Sequence, residues 1–265
     1  MASVSVNGID LYYEVHGEGP VVVFLHGTGG NHLSWWQQVP AFQGQFRCVT
    51  FDARGYGCSR DLPGGPGQRA FVDDLAALLD HLGVGECCLV AQSMGGRAAF
   101  GLALTQPQRV KALVMADTIL GMPSWAIYEL RLRLIKEGRA ATGHAYHPGL
   151  WQRDPAKAFL YEQIRGLNPP QESNEERRRR ALAEAPWEDR DLSGFAVPTL
   201  FLFGAEDGQM PADLGRLAHQ LIPDSHYAEV EGAGHSVYFE HPEEFNRIVG
   251  QFLAEVETAS PVAAR

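Results

Sequence analysis

The sequence predicts an α/β protein: a mostly parallel β-sheet with helices on both faces, interrupted in its second half by a helical insertion. Three observations carry this expectation. Short runs, apolar throughout except for Thr50, recur at 21–25, 49–51, 87–91, 112–116 and 200–203. Amphipathic stretches separate the middle runs, which is the rhythm of strand, helix and strand. Strands apolar at every position fit a sheet covered on both sides, because neither face meets water. At roughly 150 residues per domain, the length of 265 residues suits one large domain with an insertion as well as two small ones.

The elements follow in order. Residues 4–6 and 9–16 flank Asn7-Gly8, the strongest short-range hairpin signal, and lead into the apolar run at 21–25. Strand and helix then alternate as far as the run ending at Ala116. Between 118 and 195 the strand signal stops, replaced by helical, charged and aromatic sequence that includes EERRRR at 175–180 and the break Asn168-Pro169-Pro170. The predicted organisation is therefore a core of 1–117 and 196–265 with a helical insertion at 118–195. After the insertion come a strand in PTLFLFG, a helix near 211–221, a strand at 226–230, a last helix from 242 to about 257 and a frayed tail.

Composition limits the partners. Hydrophobic residues make up 45% and charged residues 20%, enough for a sizeable core. With 22 basic against 32 acidic residues the formal charge is −10, which repels a phosphate backbone and argues against nucleic acid. No apolar run exceeds five residues, and the start MASVSVNGIDLYYEV lacks a basic segment followed by an apolar one. No membrane span or signal peptide is expected, which points to a cytoplasmic protein; the sequence leaves a homo-oligomer open. Cys48, Cys58, Cys87 and Cys88 lack metal-site spacing and are expected to be reduced, mostly buried thiols.

Three distant segments carry chemistry. At 89–96 the chain reads LVAQSMGG, a buried strand running straight into a small-residue turn and a helix. A serine at such a turn projects its hydroxyl above the sheet edge. Ser93 is the expected nucleophile, and the Met94 N–H one donor of an oxyanion hole. The usual G-x-S-x-G pattern reads A-Q-S-M-G here, with Ala91 at the first glycine. After the early strand comes His26-Gly27-Thr28-Gly29-Gly30, a glycine-rich turn whose amides can approach a developing oxyanion, with Thr28 N–H as second donor. A phosphate cradle is disfavoured, since neither GxxxxGK[ST] nor a strand-anchored GxGxxG is present.

VEGAGHSVYFEHP places His235 in a glycine-flanked loop after the last strand. A neutral imidazole there can take the serine proton at pH 7 and return it to a leaving group. A carboxylate must hold its tautomer. Asp207, in a turn just after a strand, is the first choice, with Asp117 at the end of ALVMA as runner-up.

The order Ser93, Asp207, His235, each after a strand, together with the HGTGG turn, resembles the α/β-hydrolase superfamily over nearly the whole chain. The loop Asp52-Ala53-Arg54-Gly55-Tyr56-Gly57-Cys58-Ser59 is similar to that family's D-x-R-G-x-G-x-S, with Asp52 and Arg54 as structural residues, and Gly204 to Pro211 matches GxxDxxxP. The resemblance implies an α/β-hydrolase fold with an eight-stranded, mostly parallel sheet, and a cap made by 118–195. Serine at the nucleophile position implies acyl transfer on a small-molecule ester or lactone, without cofactor or metal. His32 and Trp35, after the oxyanion turn, and Trp125, Tyr128, Tyr146, Trp151, Phe159 and Tyr161 in the cap, are the expected pocket walls. Ser236 stands where the family's carbon–carbon bond hydrolases often carry tryptophan. That reaction, a lyase using the same residues and a small-molecule receptor on this scaffold stay open as alternatives.

Overall fold

The computed structural model describes residues 2–141, 144–169, 175 and 189–259. Eight strands form one sheet: β1 (Ala2–Val6), β2 (Ile9–His16), β3 (Val21–Leu25), β4 (Arg47–Phe51), β5 (Cys87–Gln92), β6 (Val110–Ala116), β7 (Thr199–Gly204) and β8 (His226–Val230). Their order is β1-β2-β4-β3-β5-β6-β7-β8. Pairings from β4 onward are parallel, whereas β1 with β2 and β2 with β4 are antiparallel. The first hairpin turns on two residues: Val6 faces Ile9, and Asn7 and Gly8 both take positive φ, 46° and 81°. That backbone matches the twist of the flanking strands.

The apolar runs are explained by what lies on each side of the sheet. Side chains alternate along a strand, so β5 sends Cys87, Leu89 and Ala91 into one hydrophobic cluster and Cys88 and Val90 into the other. The same division separates Phe201 and Phe203 from Leu200 and Leu202 in β7. Helices α2 (Phe71–His81), α3 (Gly96–Thr105) and α7 (Ala212–Leu221) contribute to the first cluster; α1 (Gln38–Phe42), α8 (Val237–Glu240) and α9 (Pro242–Ala259) contribute to the second. Among the described residues, the chain between β6 and β7 holds α4 (Trp125–Lys136), α5 (Leu150–Arg153) and α6 (Pro155–Gly166), and no strand. Most of EERRRR and Pro170 lie outside the described residues, as does the tail beyond Ala259.

The loop after β4 is pinned by charge. Arg54 meets the Asp74 carboxylate through two hydrogen bonds, Nε to Oδ2 at 2.8 Å and Nη2 to Oδ1 at 2.7 Å, and reaches Asp61 and the Asn7 carbonyl as well. The fork-on-fork arrangement orients the loop as well as holding it. Cys48, Cys87 and Cys88 are buried, and burial pushes each thiol up to about 12; Cys58 alone is exposed. No described helix is long and apolar enough to cross a membrane.

Candidate active site

β5 ends at Gln92, and the chain turns at once through Ser93–Gly95 into α3. Ser93 has φ 47°, a left-handed conformation that costs an L-residue of order 1–2 kcal/mol and that the surrounding packing must impose. Ala91, at the first glycine position of the pattern, is buried within β5. The strained turn aims the Ser93 hydroxyl off the strand ends, where it meets the loop after β8.

There Ser93 Oγ lies 2.8 Å from His235 Nε2, and His235 Nδ1 lies 2.7 Å from Asp207 Oδ2. The carboxylate accepts from Nδ1–H, which leaves Nε2 to accept from the serine hydroxyl. Asp207 Oδ1 accepts from the amides of Gln209 at 2.7 Å and Met210 at 2.9 Å, so the carboxylate cannot rotate without losing three bonds. All three side chains are buried, with Ser93 the most accessible at 9%. Such an arrangement can move a proton off the hydroxyl as the oxygen attacks an electrophile.

Asp117 has a different position. Its Oδ1 accepts from Gly204 N at 2.9 Å and its Oδ2 from Val237 N at 3.1 Å, clipping the end of β6 to β7 and to α8. Burial, followed by the nearby Asp207 charge, pushes its carboxyl well above the usual carboxylate range.

Two positioning groups escaped the sequence reading. Gln92 Nε2 donates to the His235 carbonyl at 2.6 Å, so the residue before the serine holds the histidine loop. A Cβ on Gly27 would collide with Gln92 Oε1, which explains that glycine. Glu240 Oε1 accepts from the amides on either side of His235, Gly234 at 3.0 Å and Ser236 at 3.3 Å, while Oε2 accepts from His147 N in the insertion at 2.9 Å. Its burial raises its pKa, against the pull of those amides. The available signal was a lone acid in the apolar run VYFE, but the partners of a buried carboxylate depend on tertiary contacts.

On the opposite side, the turn of Gly27 to Gly30 is closed by Gly30 N donating to Gly27 O at 3.0 Å. The central amides, Thr28 and Gly29, are not used in that bond. Met94 is second in its own short turn, where N–H groups precede the helical ladder and lack an acceptor within it. His26 anchors the turn: Nδ1–H donates to Gly27 O at 2.8 Å and Nε2 accepts from Ala53 N at 2.9 Å. Both ring nitrogens are committed to the neutral form. Burial holds its pKa below the ordinary value, although the Gly27 carbonyl and the Asp52 carboxylate pull upward.

This has a consequence for acid stability. The unfolded chain takes a proton on His26 near about pH 6.5, whereas the folded chain does so only at lower pH. The stabilisation is complete above about 6.5 and is lost as pH falls toward the folded pKa. His26→Gln keeps an acceptor for Ala53 but does not titrate. Urea-unfolding free energies between about pH 7.5 and 5.5 should therefore fall more steeply for wild type than for His26→Gln. Equal slopes would contradict this assignment.

The expected pocket walls divide. Trp35 is 0% exposed, its ring packed against Phe24, Tyr238 and Phe245 at centroid distances of 5.1, 4.6 and 6.4 Å. It is a core residue and not a wall: the reciprocal cap between Asn31 and Ser34 fixes the turn so that Trp35 points inward. His32 is only partly buried, with its Nδ1 and its amide both bonding Asp52 Oδ1, at 2.8 and 2.7 Å, and its ring resting on Tyr12. Trp125 and Trp151 are 41% and 45% exposed, Trp125 against Tyr128 and Trp151 donating to Tyr146 Oη; Phe159 is exposed as well. Tyr161, between β6 and β7, reaches the glycine turn. A Cβ on Gly29 would lie 3.2 Å from its hydroxyl, and its ring meets Tyr146 and Phe239 edge-on.

Comparison with known proteins identifies the family. The model of the α/β hydrolase fold family matches residues 20–138. A protein of Caulobacter sp. (strain K31), provisionally named the carbamate hydrolase RutD, is 31% identical over 96% of this chain and 98% of its own length. The chain belongs to the α/β hydrolase fold family. A second relative, provisionally named the non-heme bromoperoxidase BpoC of Mycobacterium tuberculosis, is 31% identical over 94% of this chain and 99% of its own. Among solved α/β hydrolase structures, a thermophilic esterase from Thermogutta terrifontis is 28% identical with a TM-score of 0.74, covering 96% of this chain and 97% of the other. This chain is an α/β hydrolase with an eight-stranded, mostly parallel sheet.

Proposed function

We propose that this hydrolase cleaves a small-molecule carboxylic ester or lactone through an acyl-enzyme intermediate, with Ser93 as nucleophile, His235 as general base and acid, and Asp207 as the group that orients the imidazole. The observation that carries this is the pair of short contacts at His235, 2.8 Å to Ser93 Oγ and 2.7 Å to Asp207. As Ser93 Oγ attacks the carbonyl carbon, its proton passes to His235 Nε2, and the carbonyl electron pair moves onto oxygen. That oxyanion is received by Thr28 and Met94 N–H. The tetrahedral species collapses as His235 protonates the departing alkoxide, leaving an acyl-serine. Water attacks in turn, giving its proton to His235, and the carboxylic acid leaves as Ser93 recovers its hydrogen.

Residues 118–195 are read as a cap over this site. Support comes from Tyr161 above the glycine turn and from the bond between Glu240 and His147, which ties the insertion to the histidine loop. A nucleophile only 9% exposed suits a compact acyl group rather than a polymer. The esterase structure from Thermogutta terrifontis supports the ester class, and a carbamate carbonyl would be attacked by the same steps. The test is release of nitrophenolate from short p-nitrophenyl esters, and opening of small lactones, by wild type and Ser93→Ala. Saturable turnover confined to wild type is expected. A wild type no faster than the variant would remove the reading and favour a receptor or lyase.

A further inference from the structure

Asn168, the first residue of the break Asn168-Pro169-Pro170 in the sequence, sets a side-chain amide against the glycine turn. Asn168 follows α6. Its Nδ2 donates to the Gly29 carbonyl at 3.2 Å, and its Oδ1 accepts from Gly57 N at 2.9 Å and, at 3.5 Å, from Asn31 Nδ2. One backbone acceptor and one backbone donor fix which way this amide faces. Asn31 Nδ2 also donates to Ile164 O in α6 at 2.9 Å, so the end of that helix is stitched to the turn twice.

The position of the Gly29 carbonyl matters because of what lies on either side of it. Three of the five residues in His26-Gly27-Thr28-Gly29-Gly30 are glycine, so sterics alone leave the turn loose. The Gly29–Gly30 peptide is held at both ends, its N–H on Gly27 O at 3.0 Å and its carbonyl on Asn168. Gly27 O is the carbonyl of the peptide unit that carries Thr28 N–H, so the unit Asn168 holds is bonded directly to the one that sets the direction of Thr28 N–H. Asn168 is itself fixed from behind. The neighbouring Cys58 N donates to Asp52 Oδ2 at 2.7 Å, and Asp52 Oδ1 receives His32 N at 2.7 Å, so the circuit closes on the residue two past Gly30.

We propose that Asn168 is a positioning residue for the oxyanion hole, so that the hole reaches its working geometry only when the end of α6 is seated on the glycine turn. This rests on the serine-hydrolase reading above. It makes the insertion part of the catalytic geometry, in addition to any role in shaping a pocket.

Asn168→Asp tests it with almost no change in shape: the side chain still accepts from Gly57 N–H but sets an oxygen against the Gly29 carbonyl. Two probes separate the oxyanion from ordinary binding. An aryl trifluoromethyl ketone adds Ser93 Oγ to its carbonyl carbon as the proton passes to His235, and its carbonyl oxygen becomes the oxyanion. The corresponding secondary alcohol has the same shape and cannot add. Asn168→Asp is expected to lower kcat on p-nitrophenyl acetate by about tenfold or more with KM within about threefold, below the loss on deleting a donor outright. It should weaken the ketone by a similar factor and leave the alcohol unchanged. Asn168→Ala, which removes both ties without adding repulsion, should shift the same ratio in the same direction and serves if the aspartate variant does not fold. Equal weakening of ketone and alcohol would make Asn168 only a seat for the insertion and overturn the proposal, as would an unchanged kcat. A wild type that forms no ketone adduct overturns the reading of the site and this proposal together. An adduct in wild type that is equally tight in both variants overturns this proposal alone.

Discussion

Ser93→Ala is expected to lower kcat on short p-nitrophenyl esters by on the order of 10⁴ or more, with little change in KM. The size follows from what the substitution removes. Without Oγ no acyl-enzyme forms, and the remaining rate is that of water attacking a carbonyl polarised by Thr28 and Met94. The folded structure should survive, because Ser93 gains nothing for stability from its left-handed backbone, φ 47°, and alanine adds no bulk there. His235→Ala should fall as far, since in the proposed mechanism serine and histidine act as one unit and their losses do not add. A double variant no slower than either single one would be the kinetic signature of that unit.

Asp207→Asn is expected to cost a comparable factor, about 10⁴ in kcat, for another reason. An asparagine can keep its carbonyl oxygen on Gln209 and Met210, which now bond Asp207 Oδ1, and would then turn its NH₂ toward His235. That donor selects the wrong imidazole tautomer, with the proton on Nε2 facing the serine. Asp117→Asn is the control. Its oxygens bond Gly204 and Val237 amides, so the variant should lose stability through a displaced amide while activity per folded molecule stays within about tenfold. Near-normal rates in Asp207→Asn with collapse in Asp117→Asn would exchange the two roles.

The sheet was legible because its signals are local. Seven of the eight strands coincide with runs marked by apolar content or by the Asn7-Gly8 turn, since a strand covered on both faces must be largely apolar, whereas the edge strand β8 reads HYAEV and is only partly buried. Ser93, Asp207 and His235 were legible for a related reason: each stands in a small-residue turn just beyond a strand end, and the topology brings those ends to one edge. The supporting groups were not. Gln92 and Asn168 find the partners named above 143 and 139 residues away along the chain, and Glu240, although it also bonds Gly234 and Ser236 nearby, reaches His147 93 residues away; nothing in the flanking sequence marks such long-range pairings. Trp35 was misplaced although a local cue existed. Asn31 and Ser34 have the spacing of a reciprocal helix cap, and that cap sets the rotation that buries the indole. The exposed Trp125 and Trp151 mark a further limit, because aromatic content shows that the insertion buries surface without showing which ring faces the site.

Reaction of the folded protein with a fluorophosphonate, followed by peptide mass mapping, tests the central claim most directly, because it asks for nucleophilicity at one oxygen without needing the natural substrate. Stoichiometric modification of Ser93 is expected in wild type, with the rate greatly reduced in His235→Ala. An unmodified Ser93 in folded wild-type protein, or labelling at the same rate when His235 is absent, would contradict it.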